Sequence, residues 1–263
     1  MTDKNGEEVT GFDNDKVRKP DPIKQGRQEP GEILQESSAA SLYIQKAEYE
    51  GRMREKAVRS YTLLDPRIPA GGGHTEEEYF ALPDDLRVEL IDGVFYAMSS
   101  PSSTHQTVAL EIARQLDECI EEHDSPCFVF IAPSDVALGN EKNTIVQPDV
   151  YVRCKGEKDT GTLQERSTPD LMIEILSPSN PENDLWRKRE LYRRHDVREY
   201  WIINPLAERV YVFRYQDNPS RDALPDEYSF EDEVPVAISD GSCKVDFTKI
   251  HRKLQRLRRF EQI

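Results

Sequence analysis

Glu174 stands in Leu171-Met172-Ile173-Glu174-Ile175-Leu176, an apolar run that reads as a buried strand. A lone carboxylate in such a run is costly unless a partner compensates for its lost hydration. A second acid, Asp149, lies in the similar run Ile145-Val146-Gln147-Pro148-Asp149-Val150-Tyr151-Val152. Strand alternation sets Gln147, Asp149 and Tyr151 on one face, and Glu174 shares a face with Met172 and Leu176. If the two runs are neighbouring strands, both carboxylates reach one cation. Carboxylate oxygens and water are the hard ligand set of Mg²⁺, with Mn²⁺ as its substitute. The plainer alternative for Asp149 is an acid at a strand end, paired with an arginine. For Glu174, apolar neighbours on both sides weigh toward chemistry.

Other candidates surround this pair. Glu89, in Arg87-Val88-Glu89-Leu90-Ile91, is either a third metal carboxylate or the partner of an arginine. Asp135 follows Pro133-Ser134 and reads as a turn residue. Asp184 and Lys188 are spaced i,i+4, and Tyr192 lies one step further along the same helix face. That spacing is either a surface ion pair or a way to bring the Lys188 ammonium over the metal, orienting a water or stabilising a phosphorane-like transition state. His105-Gln106 opens a long helix, and His105 is read as a base or phosphate donor, or else as a structural histidine. Arg187, Arg189, Arg193 and Arg194 form a basic stretch. It is a solvated face unless it flanks an acidic metal site.

The elements that must position these residues are legible from periodicity. Thr75 caps a short helix that begins Glu76-Glu77-Glu78. Asp92-Gly93 joins Val88–Ile91 to Val94–Met98 as a hairpin. A helix is predicted from Ser102 to about His123, with Val108, Ile112, Leu116 and Ile120 toward the sheet. Strands follow near 127–138, 145–153 and 170–177, then a helix near 181–195. Strands at 199–203 and 209–213 come next, and a basic helix near 246–260 ends the series. This order predicts an α/β fold with a mixed central β-sheet flanked by helices. Residues 1–30 read as a disordered segment. Residues 31–73 read as an amphipathic helix and linker, the helix either self-associating in a homodimer or folding back on its own domain, and 74–263 as the folded domain.

The chain of 263 residues carries a net charge of −15. Residues 71–263 hold 23 basic and 37 acidic groups, so a broad non-specific grip on nucleic acid is disfavoured. No apolar stretch reaches the ~20 residues that span a bilayer. Met1–Asn5 is polar, unlike a secretory signal. The scattered Cys119, Cys127, Cys154 and Cys243 read as reduced thiols, and the expected compartment is the cytoplasm. Phosphate-loop, dinucleotide, serine-elbow and H-E-x-x-H signatures are all missing, which removes the support for a nucleotide cofactor or a zinc protease.

The motifs Glu89-Leu90-Ile91-Asp92-Gly93, Ser100-Pro101-Ser102 with His105-Gln106, Pro133-Ser134-Asp135-Val136 and Gln147-Pro148-Asp149 occur in that order. They are followed by Pro169-Asp170-Leu171 through Glu174 to Ser179, then Asp184, Lys188, Tyr192 and Val197 through Ile202. This series, over about residues 75–215, resembles the Uma-type family of restriction-endonuclease-like proteins, within the PD-(D/E)XK nuclease superfamily. The resemblance implies a restriction-endonuclease-like core and Mg²⁺-dependent phosphodiester hydrolysis. Pro148-Asp149 matches the PD element and Glu174 the following acid. The superfamily lysine two residues after that acid is Leu176 here, and Lys188 is its replacement from the next helix. The resulting expectation is a DNA endonuclease. Asp149 and Glu174, with Glu89, hold the metal, and Lys188 and His105 orient the nucleophile. Gln147, Asp184 and Tyr192 support the site, and Arg187, Arg189, Arg193 and Arg194 meet DNA phosphates. The rival reading is a nuclease fold that binds or regulates without turnover.

Overall fold

The computed structural model of the protein describes residues 65–154, 168–176, 187–217, 224–239 and 242–262. The expected disordered segment 1–30, most of the 31–73 helix and linker, and the 177–186 stretch with Asp184 lie outside these residues.

Helix α1 (Glu76–Phe80) starts where a capping box can form: the Glu78 amide donates to the Thr75 hydroxyl and the Thr75 amide to the Glu78 carboxylate. Strands β1 (Val88–Ile91) and β2 (Val94–Ala97) pair antiparallel around Asp92-Gly93. Both turn residues adopt positive φ, 49° and 76°, as a two-residue hairpin turn requires. Gly93 is also approached closely by the backbone of Gly73 and His74, so a side chain there would meet main chain. Helix α2 (Ser103–Glu122) is capped by the Ser102 hydroxyl and buries Val108, Ile112, Leu116 and Ile120, as their spacing predicts.

Strands β3 (Cys127–Ile131), β4 (Val136–Ala137), β5 (Ile145–Val146), β6 (Val150–Cys154) and β7 (Leu171–Ile175) follow. Helix α3 (Arg189–Arg194) precedes β8 (Glu199–Asn204) and β9 (Arg209–Arg214). Next come β10 (Asp226–Ser229), β11 (Glu233–Pro235), β12 (Lys244–Asp246) and helix α4 (Phe247–Phe260). A six-stranded sheet runs β10-β9-β8-β7-β6-β3 and a four-stranded one β2-β1-β5-β4; β11 pairs with β12. Among the described residues only the β7–β8 pairing is parallel, and α3 lies in the connection between them. The architecture is therefore α/β with a mixed central sheet flanked by helices.

One face of the larger sheet, with Val150, Ile173, Trp201 and Val212, packs on α2 and α4. The opposite face, with Met172, Tyr200, Ile202 and Phe213, packs on α3 and part of the smaller sheet. Val88, Leu90, Phe95 and Ile145 close a third core over Tyr79 of α1.

Two expected strands are each divided. Residues 127–138 supply β3 to one sheet and β4 to the other, and 145–153 is split into β5 and β6 at Pro148-Asp149. Pro148 has no amide hydrogen to continue a ladder, and the chain changes sheets there. Strands β10, β11 and β12 were not anticipated, because their short polar sequences alternate weakly. The cysteines are not reduced thiols. Cys119 bonds Cys243, and Cys127 bonds Cys154 across the β3–β6 pair. Separations of 124 and 27 residues conceal partners that only sheet register and helix packing bring together. No helix among the described residues is long and apolar enough to cross a membrane.

Candidate active site

Glu174 is the fourth residue of β7 and only 3 % exposed. Its Oε1 accepts from Lys188 Nζ at 2.8 Å and from the Tyr192 hydroxyl at 2.7 Å. The apolar strand is thus tolerable to a charge because the following helical segment delivers a cation and a phenol to it. Lys188 Nζ also lies 2.9 Å from Glu89 Oε1, so one buried ammonium joins β1 to β7. Glu89 Oε1 accepts in addition from the Gln147 amide at 2.8 Å. The position of the superfamily lysine, Leu176, is buried in the core on the α3 side, and Lys188 reaches the acid from the α3 end instead.

Asp149 precedes β6 directly. The Val150–Ile173 pairing, continued by one residue, sets Asp149 across from Glu174. Asp149 Oδ2 accepts from the Ile175 amide at 2.7 Å and lies 3.0 Å from His105 Nε2. His105 sits in the first turn of α2, where the Ser102 cap holds its backbone amide. Its Nδ1 is buried without a hydrogen-bond partner. Glu89, His105, Asp149, Glu174 and Lys188 all line one cavity of about 590 Å³, whose wall also carries Arg87, Tyr96 and Arg187. The Arg187 guanidinium stacks over the Tyr96 ring at 3.9 Å.

The structure therefore brings together Glu89, Asp149, Glu174, Lys188, His105 and Tyr192, with Arg187 at the wall. The Gln147 side chain turns away from the acids. It donates to Asp135 Oδ1 at 2.9 Å and to the Tyr79 hydroxyl at 3.2 Å, and only its backbone amide serves Glu89. Asp135 is more than a turn residue, since it also accepts from Tyr79 at 2.8 Å. Burial, followed by Asp135, pushes the Tyr79 phenol well above its ordinary value, so it remains a donor at neutral pH. No sequence signal singles out Tyr79. The presence of Arg87 two residues before Glu89 was the sole hint of its place in the cavity wall.

Three of the four arginines expected at phosphates are placed otherwise. Arg189 is buried with its guanidinium over Phe213, Arg193 pairs with Glu190 at 2.9 Å, and Arg194 forks onto Asp92 of the hairpin turn. A helix of six residues, packed by Leu191 and Tyr192, leaves little outward face.

The donor set fits a hard divalent cation at the Asp149–Glu174 pair: two carboxylates, side by side across two strands, open to a cavity. Glu89 and Glu174 each have one oxygen, Oε1, engaged by two donors: Lys188 with the Gln147 amide for Glu89, and Lys188 with Tyr192 for Glu174. Lys188 is interposed between the carboxylates of Glu89 and Glu174.

Comparison with known proteins bears on the fold and the family. The Synechocystis sp. protein slr1290 is 26% identical over 173 residues, covering 65% of this chain and 88% of that one. The crystal structure of "a putative nuclease belonging to DUF820" from Anabaena variabilis shares the fold with a TM-score of 0.52. It is 19% identical, over 67% of this chain and 98% of its own. The model of the Uma2 family, described as "Putative restriction endonuclease", matches residues 76–240. That match spans more than half of the chain and encloses every acid of the cavity, so the protein belongs to the Uma2 family.

Proposed function

We propose that the cavity is the hydrolytic centre of a divalent-metal-dependent endonuclease acting on DNA phosphodiester bonds. The observation that carries the reading is the Lys188 ammonium, 2.8 Å from Glu174 and 2.9 Å from Glu89, in a cavity shared with Asp149. It supplies the cation that Leu176 cannot. Asp149 and Glu174 would hold Mg²⁺ or Mn²⁺. The chemistry supplied by such an ion, when bound, is polarisation of the scissile phosphate and activation of a water. Lys188 orients the attacking water and stabilises negative charge on the phosphoryl oxygens. Glu89 fixes the lysine, and Tyr192 fixes Glu174. His105 holds Asp149 through Nε2 at the cavity wall. Arg87 and Arg187 offer positive charge to the flanking phosphates.

Glu174→Gln preserves shape and the Tyr192 contact but removes the charge. Nicking of supercoiled plasmid in Mg²⁺ is expected to fall by about 10²-fold or more, with circular dichroism unchanged; nicking at the unaltered rate would remove the assignment.

A second reading, a nuclease fold retained for binding without turnover, draws on the same lysine, which already satisfies an oxygen of both Glu89 and Glu174. Mn²⁺ separates the two. A working site raises the melting temperature as ligand binding demands, and Glu174→Gln cancels that rise. No rise with the unaltered chain favours the second reading.

A further inference from the structure

Helix α4 lies beyond the family match, which ends at residue 240. Its apolar side, Phe247, Ile250, Leu254 and Leu257, docks on the core shared with α2. Lys249, Arg252, Lys253, Arg256, Arg258 and Arg259 are its cations, and no acid occurs in the helix. At 3.6 residues per turn, Lys249, Arg252, Arg256 and Arg259 form one stripe on the side away from that core. All four are exposed. Lys249 pairs with Asp246, Lys253 with Glu111, and Arg258 with Glu208. Arg252 and Arg256 have no acidic partner among the described residues, and Arg259 reaches only the Gln255 carbonyl. In a chain of net charge −15, the three arginines of this stripe form a concentrated positive surface with no acidic partner among the described residues.

Its placement gives the stripe a direction. Gln115 of α2 exchanges hydrogen bonds with the Asp246 backbone, and further along Glu111 meets Lys253. Helix α4 therefore runs antiparallel to α2, toward the α2 N-terminus. The six residues from Glu111 back to His105 match the six from Lys253 on to Arg259, about 9 Å along each helix. The end of the basic stripe thus points toward the α2 N-terminus, whose first turn places His105 in the cavity.

We infer that the Arg252–Arg256–Arg259 stripe of α4 is a docking surface for the phosphate backbone of duplex DNA, guiding the strand toward the cavity. This rests on the nuclease reading for its choice of polyanion. Phosphates spaced along a rigid backbone suit a linear row of guanidiniums, which pair with them in a forked geometry. The α3 arginines, buried or already paired, do not offer such a row.

The test uses the full chain and a fluorescein-labelled 20-base-pair duplex in EDTA, so that hydrolysis does not intrude, with anisotropy followed across a salt series. The variant Arg252→Gln/Arg256→Gln/Arg259→Gln keeps strong helix formers in place. The expected result is a dissociation constant at least tenfold higher, and a salt dependence shallower by about 2–3 units of log–log slope, with an unchanged melting temperature. Equal affinity and slope in the variant, no binding by the unaltered chain, or displacement by polyglutamate at lower charge concentration than by DNA would each overturn the inference; the last would mark an acidic protein partner instead. The nuclease reading fails separately, through absent Mg²⁺-dependent nicking, and leaves these binding outcomes interpretable.

Discussion

At the scale of single residues, the centre depends on Lys188. It is only 4 % exposed and joins two acids that are themselves 5 % and 3 % exposed. Removing one partner of such a cluster leaves uncompensated buried charge, at a cost of about 3–5 kcal/mol. Lys188→Met is therefore expected to lower stability by that order in urea titration. Adding Glu89→Gln should recover much of the loss, because one of the stranded charges is then gone. Equal stability of Lys188→Met and the unaltered chain would mean the ammonium contributes nothing net. The anomaly of Glu174 was readable from its apolar neighbours, as was its kinship with Asp149. The distribution of tasks was not. Glu89 serves the lysine, and Gln147 acts through its amide, because hydrogen-bond direction depends on three-dimensional approach and leaves no trace in residue spacing.

At the scale of elements, the strongly periodic segments were legible. The α2 stripe, the Asp92-Gly93 hairpin and the Thr75 cap all rest on local rules that the sequence states directly. The break of 145–153 into β5 and β6 was not legible, since parity alone assumes a continuous strand. That break matters to the site: Asp149 stands just ahead of β6, and its carboxylate takes the Ile175 amide. The end of α3 offers a further test. Burial, followed by the neighbouring Arg194, lowers the His195 pKa below its ordinary value of 6.5. The folded state then binds fewer protons than the unfolded state, so stability is fully present above about 6.5 and falls as pH drops toward the folded value. His195→Asn should flatten this part of the pH–stability curve; a curve of unchanged slope between pH 5 and 7 would contradict the linkage.

At the scale of the whole molecule, a net charge of −15 speaks against general affinity for DNA, yet the cavity wall carries Arg87, Arg187 and Lys188, and α4 carries a row of arginines without an acidic partner among the described residues. Distribution outweighs the total, because screening confines each charge to about 10 Å at ordinary ionic strength. The disulfides Cys119–Cys243 and Cys127–Cys154 tie α2 to the segment before β12, and β3 to β6, pairings invisible to sequence spacing. The most direct measurement of the central claim is Mg²⁺-dependent nicking of supercoiled plasmid by Glu89→Gln/Lys188→Met. This variant keeps Asp149 and Glu174 while removing the lysine together with one of its acids. A folded protein that still binds Mn²⁺ but nicks at least 10²-fold more slowly is the result expected of a charge acting on the transition state. A folded variant that nicks at the rate of the unaltered chain would contradict it.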